Sequence, residues 1–309
     1  MSKASAAFRL EPYAVPKPWG GGHLDLLAHN TKPEKIGEYV LFSELPQFPV
    51  RVISGGQALL LPDFFAQHGW SRDALPFMLK LLSTKDSLSL QNHPSDDDAR
   101  ALGLPGGGKF ECWSILDADP SARAYLGLKQ GEDAAVLRSL ENESEPLRHF
   151  NEIHPQRGDV ITLIPGLVHS TTGRLLFYEI QQTSDYTFRI YDFGRGRELH
   201  LDQAIFCLKD QTPQKQSMQT PLLTEKFQVH YHTYTASKTI RTGSEDFSVL
   251  TWFGRPVELT LSGENFSLSW GDSLLGLGQH DCQFGEAQSL SAAAHPDLPM
   301  IDVLFEAFA

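Results

Sequence analysis

The sequence has few cysteines and no long hydrophobic run, and these two absences exclude several classes of protein. Its three cysteines, Cys112, Cys207 and Cys282, are an odd number, lie far apart and include no Cys-x-x-Cys pair. This pattern argues against a disulfide framework and against a zinc site made of thiolates. No segment approaches the roughly 20 uninterrupted apolar residues of a membrane-spanning helix, and the first residues contain no apolar run of signal-peptide length. We therefore expect a cytoplasmic protein without a membrane segment.

Basic residues are also scarce, because 26 Lys and Arg stand against 38 Asp and Glu, for a formal net charge of −12. No stripe rich in Lys and Arg occurs, so we expect neither nucleic acid nor a membrane surface as a partner. A small anionic substrate remains compatible with this charge, because a few basic side chains in a cleft focus the local field. Hydrophobic residues make up 41% of the 309 residues, which is enough for a large core and about two domains.

Short runs rich in Val, Ile, Leu, Phe and Tyr, bounded by Gly and Pro, predict strands along most of the chain. Short helices are predicted after residue 95, in the polar segment 131–156 and in LHLDQAIFCLKD. The Gln-, Thr- and Pro-rich residues 211–221 are the best linker candidate. We predict a mainly β protein with a double-sheet barrel domain over 1–215, carrying inserted short helices, and a smaller β-sandwich domain over 216–309.

Four side chains have the chemistry of a metal site. Gln91 and His93 lie two residues apart in an extended stretch and therefore project to the same side. Glu111, which follows a Gly-rich loop, adds a carboxylate, and His169 in ITLIPGLVHS adds a second imidazole. Two imidazoles with oxygen ligands and no thiolate favour Zn²⁺, with Mn²⁺, Co²⁺ and Fe²⁺ left open. The competing interpretations are a surface His before a proline turn for His93 and a hydrogen-bonded buried His for His169.

Cationic side chains lie close to these positions in the sequence. Lys109 is two residues before Glu111 and shares its face, which suits it to bind an anion or to take a proton. Lys80 lies on the preceding predicted strand, at about 76–83, where its facing is undecided and a solvated lysine is the alternative. Arg189 lies in an otherwise apolar strand after Asp185, and the alternative for this pair is a salt bridge at the strand end.

Two further motifs do not support a function from the sequence alone. His230 and His232 form a His-x-His pair, but no third ligand of suitable context lies near them in the sequence, so an exposed strand face is the favoured interpretation. The Gly-rich segment GLPGGGK at 103–109 lacks the Ser or Thr and the spacing of a P-loop, which excludes that kind of nucleotide site.

Five stretches of the chain resemble a known family. They are PKPWGG, IGEYVLFSE, LPFMLKLLSTKDSLSLQNHPSDDDA, GKFECWSILDA and IPGLVHSTTGRLLFYEIQQTSDYTFRIYDFGR, and they span most of residues 16–210. Together they resemble the type I mannose-6-phosphate isomerases, in particular the short bacterial form. This family belongs to the cupin superfamily, whose double-sheet (jelly-roll) barrel agrees with the fold predicted from the strand pattern.

The resemblance implies a role for each candidate residue. Carried over by position, Gln91, His93, Glu111 and His169 are the ligands of one Zn²⁺ per chain. Lys109, Arg189, Asp185 and Lys80 correspond to the catalytic residues. The implied reaction belongs to carbohydrate metabolism and interconverts mannose 6-phosphate and fructose 6-phosphate, an aldose and a ketose, through an enediolate.

Several points stay open at this stage. The catalytic base is Lys109, Asp185 or a metal-bound water. The substrate is mannose 6-phosphate or another sugar phosphate, and the chain is a monomer or a homodimer. A metal-binding cupin that binds or senses a sugar without turning it over is an alternative function, and an iron-dependent cupin dioxygenase is a weaker one, because it has no need of Gln91 or of the cationic residues.

Overall fold

The computed structural model describes residues 6–27, 35–69, 75–243, 246–287 and 298–309, and strands dominate them, as predicted. The strands in chain order are β1 (Ala6–Glu11), β2 (Tyr13–Pro16), β3 (Ile36–Phe42), β4 (Arg51–Ser54), β5 (Gln57–Leu60), β6 (Phe77–Thr84), β7 (Leu90–Asn92), β8 (Glu111–Ala118), β9 (Arg123–Leu128), β10 (Phe150–Ile153), β11 (Asp159–Leu163), β12 (His169–Thr172), β13 (Leu175–Gln182), β14 (Phe188–Tyr191), β15 (Gln214–Ser217), β16 (Leu222–Leu223), β17 (Gln228–Thr233), β18 (Thr239–Thr242), β19 (Phe247–Phe253), β20 (Val257–Leu261), β21 (Glu264–Leu268), β22 (Ser273–Leu277), β23 (His280–Ala287) and β24 (Val303–Phe308). The α-helices are α1 (His23–Leu27), α2 (Leu61–Gln67), α3 (Asp96–Ala101) and α4 (Leu201–Cys207), and 3₁₀ helices span Ala134–Arg138, Leu140–Asn142 and Pro146–His149. No helix in these ranges is long and apolar enough to cross a membrane.

The chain divides into two compact units. One comprises residues 14–39 and 80–217, and the other comprises residues 1–13, 40–79 and 218–309. The last division lies close to the predicted boundary at 215–216, while the unit that follows it also takes in two segments from the first third of the chain. The assignment of 1–215 and 216–309 as separate domains stays a prediction.

Two antiparallel sheets build the unit of residues 14–39 and 80–217. Their strand orders are β15-β11-β8-β13-β6-β3-β2 and β10-β9-β12-β7-β14. Trp113 and Phe177 of the first sheet share one buried cluster with Ala124 and Leu126 of the second. Burial of these inner faces against each other is what holds a double-sheet barrel together. The mainly β fold with a double-sheet barrel, predicted from the strand pattern, is thus confirmed, in agreement with the cupin fold that the resemblance implies.

Short helices cover the outer face of the five-stranded sheet. Leu137 and Leu140 from the 3₁₀ segments and Ala204 from α4 pack in one cluster with Leu90 and Val168 of that sheet. The segment predicted to contain two helices forms three 3₁₀ turns instead, and a proline starts the third of them. Part of the expected linker is also ordered, because β15 pairs antiparallel with β11.

The other unit contains two sheets as well. Their orders are β16-β17-β24-β19-β22-β1-β4-β5 and β18-β23-β20-β21. Trp252 and Leu304 of the larger sheet and Leu259 and Phe284 of the smaller sheet share one buried cluster. This is the packing of a β-sandwich, with the strand Ala6–Glu11 contributed from near the start of the chain.

Backbone hydrogen bonds hold the PKPWGG segment against β3 and against the end of β6. Gly21 N–H donates to the Ile36 carbonyl at 3.0 Å, and Lys85 N–H donates to the Trp19 carbonyl at 2.9 Å. A Cβ added at Gly20 would lie 2.5 Å from the Gly37 nitrogen, closer than non-bonded atoms approach. The glycine is therefore required by the close approach of two backbones.

We expect Gly20→Ala to lower the free energy of unfolding by about 2–3 kcal/mol, because an added methyl group in a closed contact forces the backbone apart. Gly103→Ala is the control, since Gly103 has open space around it and a φ of +67°, and its cost is limited to about 1–2 kcal/mol of left-handed backbone strain. Urea denaturation measures both changes. A cost for Gly20→Ala no larger than that of the control would contradict the close-approach explanation.

Candidate metal centre

The first two candidate ligands come from the end of one short strand. Gln91 lies in β7, and His93 is the first residue after that strand. Two residues further on, Ser95 is the N-cap of α3. The Ser95 hydroxyl accepts a hydrogen bond from Asp98 N–H, and the Asp98 carboxylate accepts one from Ser95 N–H, which completes a capping box. This cap ends the extended stretch after His93 and fixes the direction in which its side chain leaves the chain.

Glu111 is the first residue of β8. The Gly-rich loop that precedes β8 is hydrogen-bonded to the segment after His93. Lys109 N–H donates to the Pro94 carbonyl at 2.9 Å, and Gly108 N–H donates to the Asp96 carboxylate at 2.8 Å. A Cβ at position 108 would lie 2.5 Å from the Ser95 carbonyl carbon. Gly108 is therefore required by close backbone packing, which brings Glu111 beside His93.

His169 is the first residue of β12 and lies opposite Gln91 in the antiparallel pairing of β12 with β7. Its Nδ1 is 2.9 Å from the Leu167 carbonyl, and Nδ1 of His93 is 2.8 Å from the Tyr186 carbonyl. A hydrogen bond from Nδ1–H to a backbone carbonyl leaves Nε2 of each ring with its lone pair free. This is the usual support of a histidine that binds a metal.

The structure brings all four predicted ligands together. Nε2 of His93 is 3.4 Å from Glu111 Oε2, and Nε2 of His169 is 3.4 Å from Glu111 Oε1. The amide nitrogen of Gln91 lies 3.4 Å from His169 Nε2. Ligand atoms placed about 2.0–2.2 Å from a zinc ion at tetrahedral angles are about 3.3–3.6 Å apart. The spacing of these side chains therefore suits a small divalent cation.

The Glu111 carboxylate is the electrostatic centre of this cluster. Glu111 is 1% exposed. Lys109 Nζ lies 2.8 Å from Glu111 Oε2, but neither carboxylate oxygen has a partner with hydrogen-bond geometry. Burial would raise the pKa of Glu111, but its neighbours, the Lys109 ammonium first among them, outweigh burial and hold that pKa well below its usual range. The carboxylate is therefore ionised, and two of its lone-pair directions are open to a cation.

The imidazoles are in the form that binds metals. Burial lowers the pKa of His169 to about 3, and burial together with the Lys109 charge lowers the pKa of His93. Both rings are therefore neutral at neutral pH, as metal ligands must be. The Gln91 Oε1 atom accepts a hydrogen bond from Ser89 Oγ at 2.8 Å. Turning the amide by 180° presents Oε1 to the cluster and leaves the Ser89 hydroxyl an amide N–H to accept from.

A pocket opens beside this cluster, and its lining is richer in cations than in anions. The lining includes five cationic side chains, Lys17, Lys80, Lys109, Arg189 and Arg197, and three carboxylates, Glu38, Glu179 and Asp185. Gln91 also lines the pocket, so the pocket is adjacent to the candidate ligands. In a chain with a net charge of −12, this local excess of positive charge makes the pocket suited to an anion.

Lys80 is buried in the pocket among three carboxylates. Its Nζ lies 3.8 Å from Asp185 and 3.9 Å from both Glu38 and Glu179. Burial alone would lower the pKa of Lys80, but these carboxylates outweigh burial and raise it, so the amine stays charged. Sequence reasoning left the facing of Lys80 undecided and missed Glu38 and Glu179 entirely.

The two missed carboxylates had no local signal that distinguishes them. Glu179 accepts a hydrogen bond from Trp113 Nε1 at 2.9 Å, and burial raises its pKa to about 7. Glu38 lies on β3 and also pairs with Lys17 at 3.1 Å. Each is a single acid in an apolar strand, and such an acid requires a buried partner. That rule, applied to IGEYVLF and LLFYEIQQ, is the signal that would have found them.

The predicted cation Arg189 lies in β14 and lines the same pocket. Its Nη1 donates to the Glu198 carbonyl at 2.8 Å, while its buried Nε has no hydrogen-bond partner. Asp185 has Lys80 as its ion-pair partner, in place of the strand-end salt bridge with Arg189 that was the alternative from the sequence. Arg197 was not singled out from the sequence, and it is held in the pocket wall by the buried Asp192.

Comparison with known proteins agrees with the resemblance seen in the motifs, although no family model matches the chain. The chain is 29% identical to the mannose-6-phosphate isomerase of Streptococcus mutans over 283 residues, covering 84% of this chain and 88% of that protein. Its fold matches the crystal structure of the mannose 6-phosphate isomerase of Bacillus subtilis with a TM-score of 0.81 at 21% identity, covering 98% and 100% of the two chains. A zinc-bound mannose 6-phosphate isomerase matches with a TM-score of 0.68 at 14% identity, covering 98% and 99%. The chain is therefore a homologue of the mannose-6-phosphate isomerases and has their fold.

Proposed function

We propose that this protein is a metal-dependent aldose–ketose isomerase that interconverts mannose 6-phosphate and fructose 6-phosphate through an enediolate. The observation that carries the proposal is the buried Glu111 carboxylate, which faces two neutral imidazoles at the edge of a cation-rich pocket. The reaction needs stabilisation of negative charge on two adjacent oxygens, movement of a proton between C1 and C2, and a grip on a phosphate. The pocket offers residues for each need.

The residues that would hold the metal are Gln91, His93, Glu111 and His169. Two imidazoles, a carboxylate and an amide oxygen, with no thiolate, favour Zn²⁺, one per chain. When bound, the metal supplies positive charge to the sugar oxygens on which the enediolate charge develops. The fit of the site rests on the two Glu111 oxygens that lack hydrogen-bond partners and on the Nδ1 hydrogen bonds that orient both rings.

Lys109 brings a second positive charge to the same oxygens. Its Nζ lies 2.8 Å from Glu111 Oε2 and 3.3 Å from His93 Nε2, and it lines the pocket. An ammonium fixed at this place donates hydrogen bonds to a sugar oxygen as the charge on that oxygen grows. Because the residue is buried, this interaction is stronger than the same contact in water.

Arg189 and Arg197 are the proposed phosphate-binding residues. Both line the pocket, and the Arg189 Nε lacks a hydrogen-bond partner in the structure. A guanidinium matches the geometry of phosphate oxygens and always carries its charge. Asp192 accepts from both Arg195 and Arg197, which preorganises this wall of the pocket before substrate arrives.

Candidates for the proton transfer between C1 and C2 are Lys109 and Asp185, with Glu179 as a further pocket carboxylate whose pKa burial raises to about 7. Lys80 is not one of them, because its neighbouring carboxylates keep it protonated; we assign it to positioning Asp185, 3.8 Å away. The Asp185 side chain is 43% exposed, so it stands at the accessible side of the pocket. We also propose a cytoplasmic enzyme of carbohydrate metabolism that acts as a monomer or homodimer.

The first test is an assay of the purified protein with mannose 6-phosphate, before and after removal of metal by a chelator. We expect fructose 6-phosphate to form, the activity to be lost on chelation, and Zn²⁺ to restore it. Other sugar phosphates in the same assay test the substrate. Tightly bound metal without isomerase activity on any of them would favour the alternative, a cupin that binds or senses a sugar without turning it over.

Replacement of a proposed ligand should remove the metal. His93→Ala and Glu111→Gln each delete one metal bond, so we expect metal content and activity to be lost together. Elemental analysis of the purified variants measures the metal content, and the assay of fructose 6-phosphate formation measures the activity. His154→Gln is the control, because His154 is an exposed histidine beside a carboxylate, with its Nε2 3.5 Å from Glu152. Full metal content at this site in Glu111→Gln would contradict the ligand set.

Arg189→Ala should separate binding of metal from turnover. We expect the metal to be retained and kcat/KM to fall by about 10²-fold or more, because loss of a charged contact to phosphate costs roughly 2–5 kcal/mol. Arg148→Ala is the matched control, since Arg148 is an exposed arginine paired with Glu143 at 3.2 Å. Activity of Arg189→Ala equal to that of the control would refute the role given to Arg189.

A further inference from the structure

The unit that contains residues 218–309 carries a second cluster of side chains that suit a metal. His230 and His232 are two residues apart on β17, so both rings project from the same face of the strand. The sequence offers no third ligand close to them. The structure supplies one from the neighbouring strand, because Glu306 of β24 lies directly opposite His230 in the antiparallel register.

The three side chains converge on one carboxylate oxygen. Nε2 of His232 is 2.7 Å from Glu306 Oε2, and Nδ1 of His230 is 3.9 Å from the same oxygen. One ligand atom from each residue lies within 4.8 Å of the others. The His230 ring also packs edge-on against Phe308, with ring centroids 4.9 Å apart, which limits its rotation.

Glu306 is a buried carboxylate whose ion-pair partners, among the described residues, are histidines. It is 2% exposed, and within the part of the chain that the structure describes no Lys or Arg forms an ion pair with it. Its other oxygen accepts a hydrogen bond from Gly243 N–H. A buried carboxylate is stabilised by positive charge beside it, which a metal ion held by the two imidazoles would supply.

The cluster is also open to solvent on one side. The side chains of His230 and His232 are 35% and 19% exposed, while the carboxylate lies beneath them. A cation can therefore enter without unfolding of the unit, and water can occupy the remaining coordination positions.

We propose that His230, His232 and Glu306 form a second metal site, which takes a divalent transition metal such as Zn²⁺ and clips β17 to β24. Two imidazoles and a carboxylate are ligands for such ions and not for Mg²⁺ or Ca²⁺, which prefer oxygen ligands. Binding lengthens the 2.7 Å contact and shortens the 3.9 Å one, so that both approach the roughly 3.3–3.6 Å spacing of ligands around zinc. Small side-chain rotations on one strand face achieve this.

The test is a count of zinc ions per chain after equilibrium dialysis of the metal-free full-length protein against micromolar Zn²⁺. We expect two zinc ions for the wild type and one for the double variant His230→Gln/His232→Gln, with isomerase activity unchanged in that variant. His154→Gln is the matched control and should bind as many ions as the wild type, because its histidine has a carboxylate neighbour but no third ligand. Equal counts for the wild type and the double variant would overturn the proposal.

Glu111→Gln protein gives an independent measurement that does not need the double variant to fold. It should still bind one zinc ion per chain, and it should gain a visible absorption band on addition of Co²⁺. Failure of the proposed catalytic metal site reads differently, because Glu111→Gln would then bind as many ions as the wild type while the double variant bound one fewer. A Glu111→Gln protein that takes up no zinc and no Co²⁺ would also overturn the second site.

Discussion

The buried charge of Glu111 is the constraint on which the unit of residues 14–39 and 80–217 depends. An ionised carboxylate taken out of water costs several kcal/mol unless opposite charge and hydrogen-bond donors surround it. Lys109 gives it one cation, and the two imidazoles turn their unprotonated nitrogens towards it. Two features keep these partners in place. The loop before β8 is hydrogen-bonded to the Pro94 carbonyl, and Nδ1 of each histidine is hydrogen-bonded to a backbone carbonyl.

The pairing of charged side chains also explains how an acidic chain makes a pocket suited to an anion. Three carboxylates within 4 Å balance the positive charge of Lys80, and Asp192 balances part of the charge of two arginines. The positive charge that remains available in the pocket therefore comes mainly from a few side chains, with Arg189 on β14 and Lys109 and Arg197 on loops. Net charge describes the whole surface, whereas recognition depends on how the charges are paired inside one cleft.

Local patterns in the sequence predicted what depends on local geometry. The alternation of side chains along a strand placed Gln91 and His93 on one side, and the Ser95 cap with Gly103 predicted α3 correctly. Pairing between distant strands has no such local signal. The facing of Lys80, its contacts with Glu38 and Glu179, the strand β15 in the expected linker, and the meeting of His232 with Glu306 all depend on which strands become neighbours. That choice is made by the burial of whole faces, which a single sequence does not display.

The register of β12 against β7, in which His169 lies opposite Gln91, has a consequence for quality control of the protein. A slip of one residue would turn His169 to the far face of the sheet and put Ser170 in its place. A barrel assembled in that register would resemble the correct one in size and strand content but would lack an imidazole at the site. Occupancy of the proposed metal site by Zn²⁺ would then report the fraction of molecules whose strands have paired correctly.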